Sequence, residues 1–477
     1  IRLSDTVVTA NKDPIKIKKQ IFLPPDLAFG NGTMISARGT PGATFVPIDQ
    51  LGKYRRDLLF DPKVGPHATK PLDQQYLLLP QSVADTHGPA FLADLCRTMN
   101  NLYPQEVPYA PIIITYNDLV PKRYGEQGRS ILASVNQYNP TPGFGIAMIH
   151  DTIDRHDRAH DQLAAMVMRK LRDQDLYVSV IHTVVTTEAY HLAPGASDYE
   201  PVPEKRGKLN GYLRNIAITK ILLTNERWPF VLVTPLHSDI TIAIDVLYHT
   251  ASFTLIGKNG PDIRTVTRNS NQKERLSKAQ VRQVLVEMLR QEAKSGRICD
   301  VKQIVIQRDG RLFAPERDGI KEAIAALKAE RALSQDCNLN LMEIPESSAA
   351  PFRLFGIHTR LDGPERTYNP PIGSYFIMNE HDAYLCSTGQ EYRHPGTTKP
   401  LHIRYLEGTM PFADLLEDVY SLTNLTWTRP EDCTREPITI KLGDIRLREH
   451  AGNYDPDALT YEQEPTEESE DKEVEAG

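Results

Sequence analysis

Between Gln75 and Val185 the chain alternates short apolar runs with longer amphipathic stretches, and this alternation limits the fold more than any other feature. It predicts strands at 76–79, 112–116, 144–149 and 176–185, and helices at 83–102 and 157–171. Strands that alternate with helices of these lengths are typical of a parallel sheet covered by helices. We therefore expect an α/β protein that contains a Rossmann-like domain.

A second block, after residue 228, has a different order of elements. Isoleucines alternate with small or polar residues over 240–244, which predicts a strand that returns as a hairpin over 251–256. Apolar residues at helical spacing over 281–289 predict an amphipathic helix, and an apolar strand follows at 304–306. The order strand, hairpin, helix, strand predicts a second α/β domain.

Two aspartates stand at corresponding places on these strands. Asp245 follows the alternating isoleucines and is expected on the opposite face of the strand, and Asp309 ends the strand after the helix. Hydrolysis of a phosphodiester uses two divalent ions about 4 Å apart, held by carboxylates from different elements. An aspartate at a strand end is also common as a turn residue, so the pair is a candidate metal site only in combination with further residues.

Composition excludes several other classes. The 477 residues, 40% of them apolar, suffice for about three domains, and no apolar run is long enough to cross a membrane. The five cysteines are scattered without a CxxC spacing, which indicates reduced thiols in a cytoplasmic protein.

The charge of the chain is concentrated at its end. The net charge is −7, but residues 462–477 hold eight acids and one base, so the rest is neutral and can still carry a basic channel. We expect this acidic tail to be disordered.

Several sequence blocks resemble the Argonaute family. They are Ile244-Asp245-Val246, residues 304–310 (IVIQRDG), residues 381–387 (HDAYLCS), residues 396–402 (GTTKPLH), the helix beginning YLRNIA at 212 and the segment 418–427. In slicing members, the Gly-Thr-x-Arg/Lys-Pro turn is followed two residues later by a metal-site residue, which is His402 in this chain. The resemblance covers about 390 residues and is most specific at the last of the metal-site blocks.

The resemblance implies a domain order and a function. Residues 1–70 resemble the linker between PAZ and MID domains, 71–228 a Rossmann-like MID domain and 229–461 an RNase-H-like PIWI domain. It implies an endonuclease that cuts nucleic acid paired to a short RNA or DNA guide, using two Mg²⁺ or Mn²⁺ ions. The expected target is a complementary strand of invading DNA, and further N and PAZ domains are expected upstream or on another chain.

The family also completes its metal site with a glutamate from a mobile loop. Glu274 lies 35 residues before Asp309, just ahead of the predicted helix, and is our assignment. Glu287, inside that helix, remains the alternative, because other RNase-H-like nucleases take their glutamate from a helix. Together the resemblance assigns Asp245, Glu274, Asp309 and His402 to catalysis, with Asp245, Asp309 and His402 as metal ligands.

The pocket for the 5' end of the guide departs from the usual family pattern of Tyr, Lys and Gln side chains. Alignment of the predicted helix and strand places Leu163, Val167 and Ser179 at three pocket positions and Thr219 at the fourth. A shift by one residue gives Ala164, Met168 and Lys220. Either alignment is mostly apolar and resembles relatives that accept a 5'-hydroxyl guide, while Arg169, Lys170 and Lys220 are expected near guide phosphates.

Two alternatives to the slicer remain. A guide-binding silencing protein would recruit a partner without cutting, and would be preferred if a catalytic residue were missing. An unguided RNase-H-like nuclease would not need the MID-like domain. We interpret a cluster of His and Asp residues as a strand-to-helix loop with a capping aspartate and solvated histidines; it contains His150, Asp151, Asp154, His156, Asp157 and His160.

Overall fold

The computed structural model describes most of the chain. The described residues are 17–18, 20–68, 70–153, 161–195, 197–247, 249–258, 260, 263–270, 275–296, 300–345, 352–358, 366–388, 399–427, 430–431 and 433–451. Glu274 and the acidic tail lie outside these residues, as does most of the turn that precedes His402.

The N-terminal segment forms short strands and one helix that pack on the rest of the chain. These are β1 (Gln20–Ile21), β2 (Leu27–Ala28), β3 (Met34–Ser36), β4 (Thr44–Phe45) and α1 (Leu51–Leu59). Apolar side chains of this segment, including Leu27, Phe29 and Leu59, belong to a core cluster shared with both later sheets. This Pro- and Gly-rich segment therefore gains a core by lying over other elements.

The next part of the chain forms a four-stranded parallel sheet between helices. Its elements are β5 (Gln75–Pro80), α2 (Gln81–Ala84), α3 (Gly88–Leu102), β6 (Ile112–Tyr116), α4 (Tyr124–Tyr138), β7 (Gly143–Ile149), α5 (Gln162–Arg172), β8 (Leu176–His182), α6 (Thr183–Thr187), β9 (Tyr190–Leu192), β10 (Tyr199–Pro201) and α7 (Arg206–Asn215). The strand order is β6-β5-β7-β8 with all pairs parallel, which confirms the predicted Rossmann-like layering. A π-helical segment, Ile216–Leu222, continues α7 toward the second sheet.

The remaining elements build a nine-stranded mixed sheet. They are β11 (Val231–Leu232), β12 (Ile240–Leu247), β13 (Thr250–Gly257), β14 (Ile263–Asn269), α8 (Lys278–Lys294), β15 (Gln303–Asp309), α9 (Ala314–Ala329), β16 (Asn338–Ile344), β17 (Gly356–His358), β18 (Arg366–Tyr368), β19 (Ser374–Ile377), β20 (Asp382–Leu385), β21 (Leu401–Glu407), α10 (Phe412–Thr423) and α11 (Ile438–Ala451). The order is β1-β19-β20-β21-β16-β15-β12-β13-β14, whereas β11 joins β2, β3 and β4 in a separate small sheet and β17 pairs only with β18.

Helices cover both faces of the nine-stranded sheet. The isoleucines of β12 pack with residues of α8 and α9 on one face. On the other face, Ala243 of β12 shares a cluster with residues of α10 and with Ile440 of α11. Because successive side chains of a strand alternate between faces, Asp245 lies on the face of Ala243, beneath α11.

No helix among the described residues is both long and apolar enough to cross a membrane.

Candidate functional site

The side chain of Asp245 is almost completely buried. It is 9% exposed, and its Oδ1 accepts a hydrogen bond from the Val246 backbone N–H at 2.6 Å. Across the hairpin it is paired with Ser252, and α11 passes directly over both residues. A Cβ built on Gly443 of α11 would lie 3.7 Å from the Asp245 Cβ and 2.5 Å from the Ser252 Oγ. Glycine at 443 therefore allows the helix to form one wall of the site.

Asp309 lies beside Asp245. Strands β12 and β15 are parallel, and their register ends with Ile244 opposite Arg308, so the next step brings Asp245 and Asp309 side by side on one face. Neighbouring strands are about 4.8 Å apart, a spacing that suits two carboxylates sharing divalent ions. Gly310 follows with a φ of 81°, where a glycine is favoured, and its N–H donates to the Ile344 carbonyl at 3.1 Å.

A buried ion pair fixes the end of the strand that carries Asp309. The Arg308 side chain points to the opposite face, where its Nε donates to the Glu316 carboxylate at 3.4 Å. The Arg308 guanidinium also donates to the Asp309 carbonyl. Glu316 in turn accepts hydrogen bonds from the backbone N–H groups of Leu276 and Phe313. The backbone at Asp309 is therefore tied to both α9 and the start of α8.

His402 is at the same edge of the sheet but is oriented differently. It is the second residue of β21 and is paired with Tyr384 of β20. Its neighbour Ile403 shares a core cluster with Ala243, so alternation places the His402 side chain on the opposite face from the two aspartates. Its Nε2 lies 2.9 Å from the Asp382 Oδ1. Burial raises the pKa of Asp382, but the hydrogen bonds from His402 and Asn379 outweigh it and hold that pKa below its usual range.

The structure thus brings together two of the predicted ligands. The ligand atoms of Asp245, Asp309 and His402, which the structure all describes, do not all lie within 4.8 Å of one another. Glu274 is outside the described residues. Glu287, the alternative, is partly exposed on α8, and hydrogen bonds from Gln283 and then Arg268 lower its pKa. It lies on the helix that covers the face opposite Asp245, so the structure gives no support to Glu287.

The donor set still fits divalent ions. Two carboxylates stand side by side, and the Nδ1 of His402 is buried without a hydrogen-bond partner in the described part of the chain. Carboxylate oxygens are the ligands that Mg²⁺ and Mn²⁺ prefer, so the fit rests on the two aspartates. For His402 to join, its ring must reach over the edge of the sheet.

The predicted guide pocket has to be corrected. Leu163 and Val167 are fully buried and pack in the core between α5 and the four-stranded sheet. Ala164 and Met168 from the shifted alignment are at most 2% exposed and belong to the same core. These positions are therefore apolar because their side chains form part of the core, and a guide cannot contact them. The spacing of Leu163, Val167 and Leu171 is that of a core-facing helical stripe, and the prediction failed because it followed the alignment to the family pocket instead of this pattern.

The polar residues predicted for the pocket are spread over several places. Ser179 is buried with its Oγ 3.2 Å from the Thr224 Oγ1, and the Thr219 hydroxyl donates to the Asn215 carbonyl at 2.8 Å. Lys220 is buried in the π-helical segment. Arg169 and Lys170 are exposed near the end of α5. Helix α5 runs from the carboxyl edge of the sheet to its amino edge, so these two cations lie away from the edge where such sheets usually bind ligands.

The carboxyl edge of the four-stranded sheet holds a group of residues that the sequence pattern does not single out as a site. The His182 Nε2 is 2.6 Å from the Asp161 Oδ2 and 3.8 Å from the Asp151 Oδ1, and the three form a set compatible with a divalent ion. Asp161 also caps α5 by accepting from the Ala164 N–H at 2.9 Å. His150 is not solvated as expected, because its Nε2 lies 2.8 Å from the Asp118 Oδ2. The signal in the sequence was that His150, Asp151 and His182 each stand at the end of a strand.

Comparisons with known proteins agree on the fold. A solved structure of Clostridium butyricum Argonaute bound to a guide DNA (5' deoxycytidine) and a 19-mer target DNA has a TM-score of 0.63 with this chain at 17% identity. The match covers 92% of this chain and 53% of the other. The structure of Drosophila Piwi has a TM-score of 0.62 at 18% identity, covering 90% of this chain and 53% of Piwi. The chain thus spans about half the length of these two proteins, and its α/β fold is Argonaute/PIWI-like.

No family model matches the chain, and no curated protein matches it.

Proposed function

We propose that this chain is the guide-anchoring and cutting part of a guide-directed endonuclease. The observation that carries the proposal is the pairing of Asp245 with Asp309 at one edge of the nine-stranded sheet, within an Argonaute/PIWI-like fold. One of the similar structures contains a guide DNA and a target DNA, which supports a guide and a complementary target strand as partners of this chain. The proposed divisions are a linker over residues 1–70, a MID-type domain over 71–228 and a PIWI-type domain over 229–461.

In this proposal the residues of the site hold divalent ions and leave the phosphodiester chemistry to them. Asp245 and Asp309, together with His402, would hold two Mg²⁺ or Mn²⁺ ions, and Glu274 would complete the site. Bound there, the ions would supply activation of the attacking water and stabilisation of the leaving oxygen. The buried Arg308–Glu316 pair keeps Asp309 in place, and α11 limits the access of water to Asp245.

The guide is proposed to lie across both sheets, with its backbone phosphates near Arg169 and Lys170, which are exposed at the end of α5; Lys220 is buried and is no longer proposed as a contact. Defence against invading DNA is the proposed biological role, and any N and PAZ domains would act from a preceding segment or a separate chain.

The test is a cleavage assay with a short guide and a labelled complementary strand. Cutting is expected only when guide and target match and only with Mg²⁺ or Mn²⁺, and EDTA is expected to abolish it. The target should be supplied as both DNA and RNA, because the 2'-hydroxyl decides which duplex fits. Equal cutting with matched and unmatched guides would indicate an unguided nuclease.

The second candidate is a protein that binds a guide and target without cutting. The observation that favours it is that His402 lies on the opposite face from the two aspartates, which leaves the ligand set incomplete in this conformation. It predicts guide-dependent target binding in Mn²⁺ with no cleavage product, whereas the endonuclease predicts both.

A further inference from the structure

One histidine nitrogen at the carboxyl edge of the four-stranded sheet is approached by two carboxylates. The His182 Nε2 lies 2.6 Å from the Asp161 Oδ2 and 3.8 Å from the Asp151 Oδ1, and the ligand atoms of the three residues all lie within 4.8 Å of one another. A single N–H can donate a full hydrogen bond to only one of these oxygens. Two carboxylates this close repel each other, and a cation bound by both removes that repulsion.

The neighbouring histidine shows a complete hydrogen-bonded arrangement at the same edge. The His150 Nε2 lies 2.8 Å from the Asp118 Oδ2, and the His150 Nδ1 lies 3.0 Å from the Thr183 Oγ1. Each ring nitrogen of His150 thus has one partner, and this arrangement needs no further group. At His182, by contrast, two acceptors converge on the same nitrogen, as ligands do around a metal ion.

The fold holds two of these three side chains in place. Asp161 is 2% exposed and caps α5, because its Oδ1 accepts from the Ala164 N–H at 2.9 Å while its Oδ2 lies against His182. His182 is 5% exposed and ends β8, where it is paired with Ile149 of β7. Asp151 follows β7 by two residues, and its side chain is 53% exposed. The site is therefore largely preformed and open to solvent at Asp151.

A buried hydroxyl next to Asp151 in the chain is a second sign of a bound group. Thr152 is 8% exposed, and its Oγ1 has no hydrogen-bond partner among the described residues. A buried polar atom without a protein partner is commonly satisfied by an ordered water or an ion. A metal ion bound through three side chains keeps at least one water ligand, which is a suitable partner for a hydroxyl.

We propose that Asp151, Asp161 and His182 bind a divalent transition-metal ion such as Zn²⁺, which joins the loop after β7 to α5 and β8. One imidazole nitrogen with two carboxylates suits Zn²⁺, whereas Mg²⁺ and Ca²⁺ prefer oxygen ligands alone. The ion takes the place of the proton on the His182 Nε2, so the bound ring is neutral and carries its one proton on Nδ1. The site belongs to the four-stranded sheet and does not depend on the proposed nuclease function.

The first test measures Zn²⁺ binding by the full chain after the paired aspartates of the nine-stranded sheet are neutralised. The parent protein carries Asp245→Asn and Asp309→Asn, is stripped of metal with EDTA and is titrated with Zn²⁺ against a chromophoric chelator. A tight Zn²⁺ site is expected to remain. Zn²⁺ should also raise the melting temperature of this protein, because the ion binds the folded chain and not the unfolded one. Absence of such a site would overturn the proposal.

Substitutions in the same parent protein locate the site. Asp151→Asn and His182→Gln should each weaken Zn²⁺ binding at least about tenfold, since even an indirect partner of a ligand contributes that much. Asp151 is half exposed, so its variant is expected to fold. Asp161→Asn should weaken binding as well, although its amide oxygen can still cap α5. Unchanged affinity in Asp151→Asn and His182→Gln would overturn the proposal.

His191→Gln is the matched control. The His191 Nε2 lies 3.8 Å from the Glu200 Oε1 on the hairpin of β9 and β10, and both side chains are exposed. This histidine thus has one acidic neighbour and no second carboxylate within salt-bridge distance among the described residues. Its variant is expected to bind Zn²⁺ as tightly as the parent protein. A loss equal to that of His182→Gln would overturn the proposal, because it would show that Zn²⁺ binds at scattered histidines.

Melting curves separate a metal site from a hydrogen-bonded pair that only stabilises the fold. A metal site predicts that Zn²⁺ raises the melting temperature of the parent protein and of His191→Gln but not that of His182→Gln. A pair without a metal predicts that His182→Gln melts earlier in EDTA and that Zn²⁺ changes none of the three curves, which would overturn the proposal. Because all these proteins lack both Asp245 and Asp309, the outcome is independent of whether the chain cuts nucleic acid.

Discussion

The paired aspartates give the most direct prediction at the residue scale. Asp245→Asn or Asp309→Asn is expected to abolish cleavage and leave guide binding nearly unchanged, because each change removes one charged ligand oxygen and no apolar packing. Loss of product at saturating guide, together with an unchanged guide dissociation constant, is the expected measurement.

Asp336→Asn is the matched control, because Asp336 is an exposed residue in the turn before β16. Continued cutting by either aspartate variant would exclude the pair as metal ligands.

The structure changes the expected effect of substituting Val167. A pocket role would make Val167→Lys favour 5'-phosphorylated guides, whereas burial in the core predicts that it destabilises the chain by several kcal/mol through an unpaired buried charge. Chemical denaturation measures this directly. Lys170→Val, at an exposed position of the same helix, should change stability little. A folded Val167→Lys protein with a new phosphate preference would restore the pocket.

The sequence predicted the side of the sheet for Asp245 but not for His402, and the reason is physical. Along β12 the isoleucines alternate without a break, so period two fixes where Asp245 points. For His402 the face depends on how β21 pairs with β16, and that pairing shifts register between Leu341 and Met342. An irregularity of this kind comes from contacts between distant strands and leaves no local pattern.

At the scale of elements, α11 and its glycine form part of the site. Gly443→Ala would place a Cβ 2.5 Å from the Ser252 Oγ, which should push the helix away from Asp245. Such overpacking costs about 1–3 kcal/mol, while alanine is a better helix former than glycine by about 1 kcal/mol. We expect Gly443→Ala to reduce cleavage and to give little or no gain in stability.

The matched test of this contact is a double-mutant cycle. Ser252→Ala removes the clashing oxygen, which has no hydrogen-bond partner among the described residues, and should be nearly neutral alone. In that background Gly443→Ala should raise stability by about 1 kcal/mol and leave cleavage intact. Equal effects of Gly443→Ala in both backgrounds would mean that α11 does not press on this face.

The elements that could be predicted from sequence are those with a strong local pattern. The strand at 112–116 matches β6, and the helix at 281–289 lies within α8.

Other elements have weak local patterns. The sequence does not predict helix α4, because two glycines and several polar residues weaken its apolar stripe. The predicted helix at 83–102 is divided into α2 and α3, with Gly88 and Pro89 at the start of the second helix. The hairpin of β9 and β10 has no clear local pattern in the sequence, since such short strands depend on their partner.

At the scale of the whole molecule, one hydrophobic cluster joins the N-terminal segment, the four-stranded sheet and the nine-stranded part. Its junction is a stack of Trp228 on Trp427 at 4.7 Å, and the Trp427 Nε1 donates to the Phe230 carbonyl at 2.8 Å. Residues of α1, α3 and α7 belong to the same cluster. The sequence predicts the two sheets separately, but this shared core depends on how they pack and has no signature along the chain.

Because the cluster is shared, the described parts of the chain should unfold together. Trp427→Ala should destabilise the protein by about 3–5 kcal/mol, through the cavity it leaves in the core. Trp427→Phe keeps most of the apolar contact and should cost less, since it loses mainly the hydrogen bond to Phe230.

Two spectroscopic probes test whether the parts unfold together. The chain has two tryptophans, Trp228 and Trp427, so tryptophan fluorescence reports on the junction alone while circular dichroism reports on all helices. Coincident transitions by both probes are expected in the unaltered chain. A fluorescence transition that precedes the loss of helix would show that the two sheets separate before either unfolds, and that the junction is a hinge and not a common core.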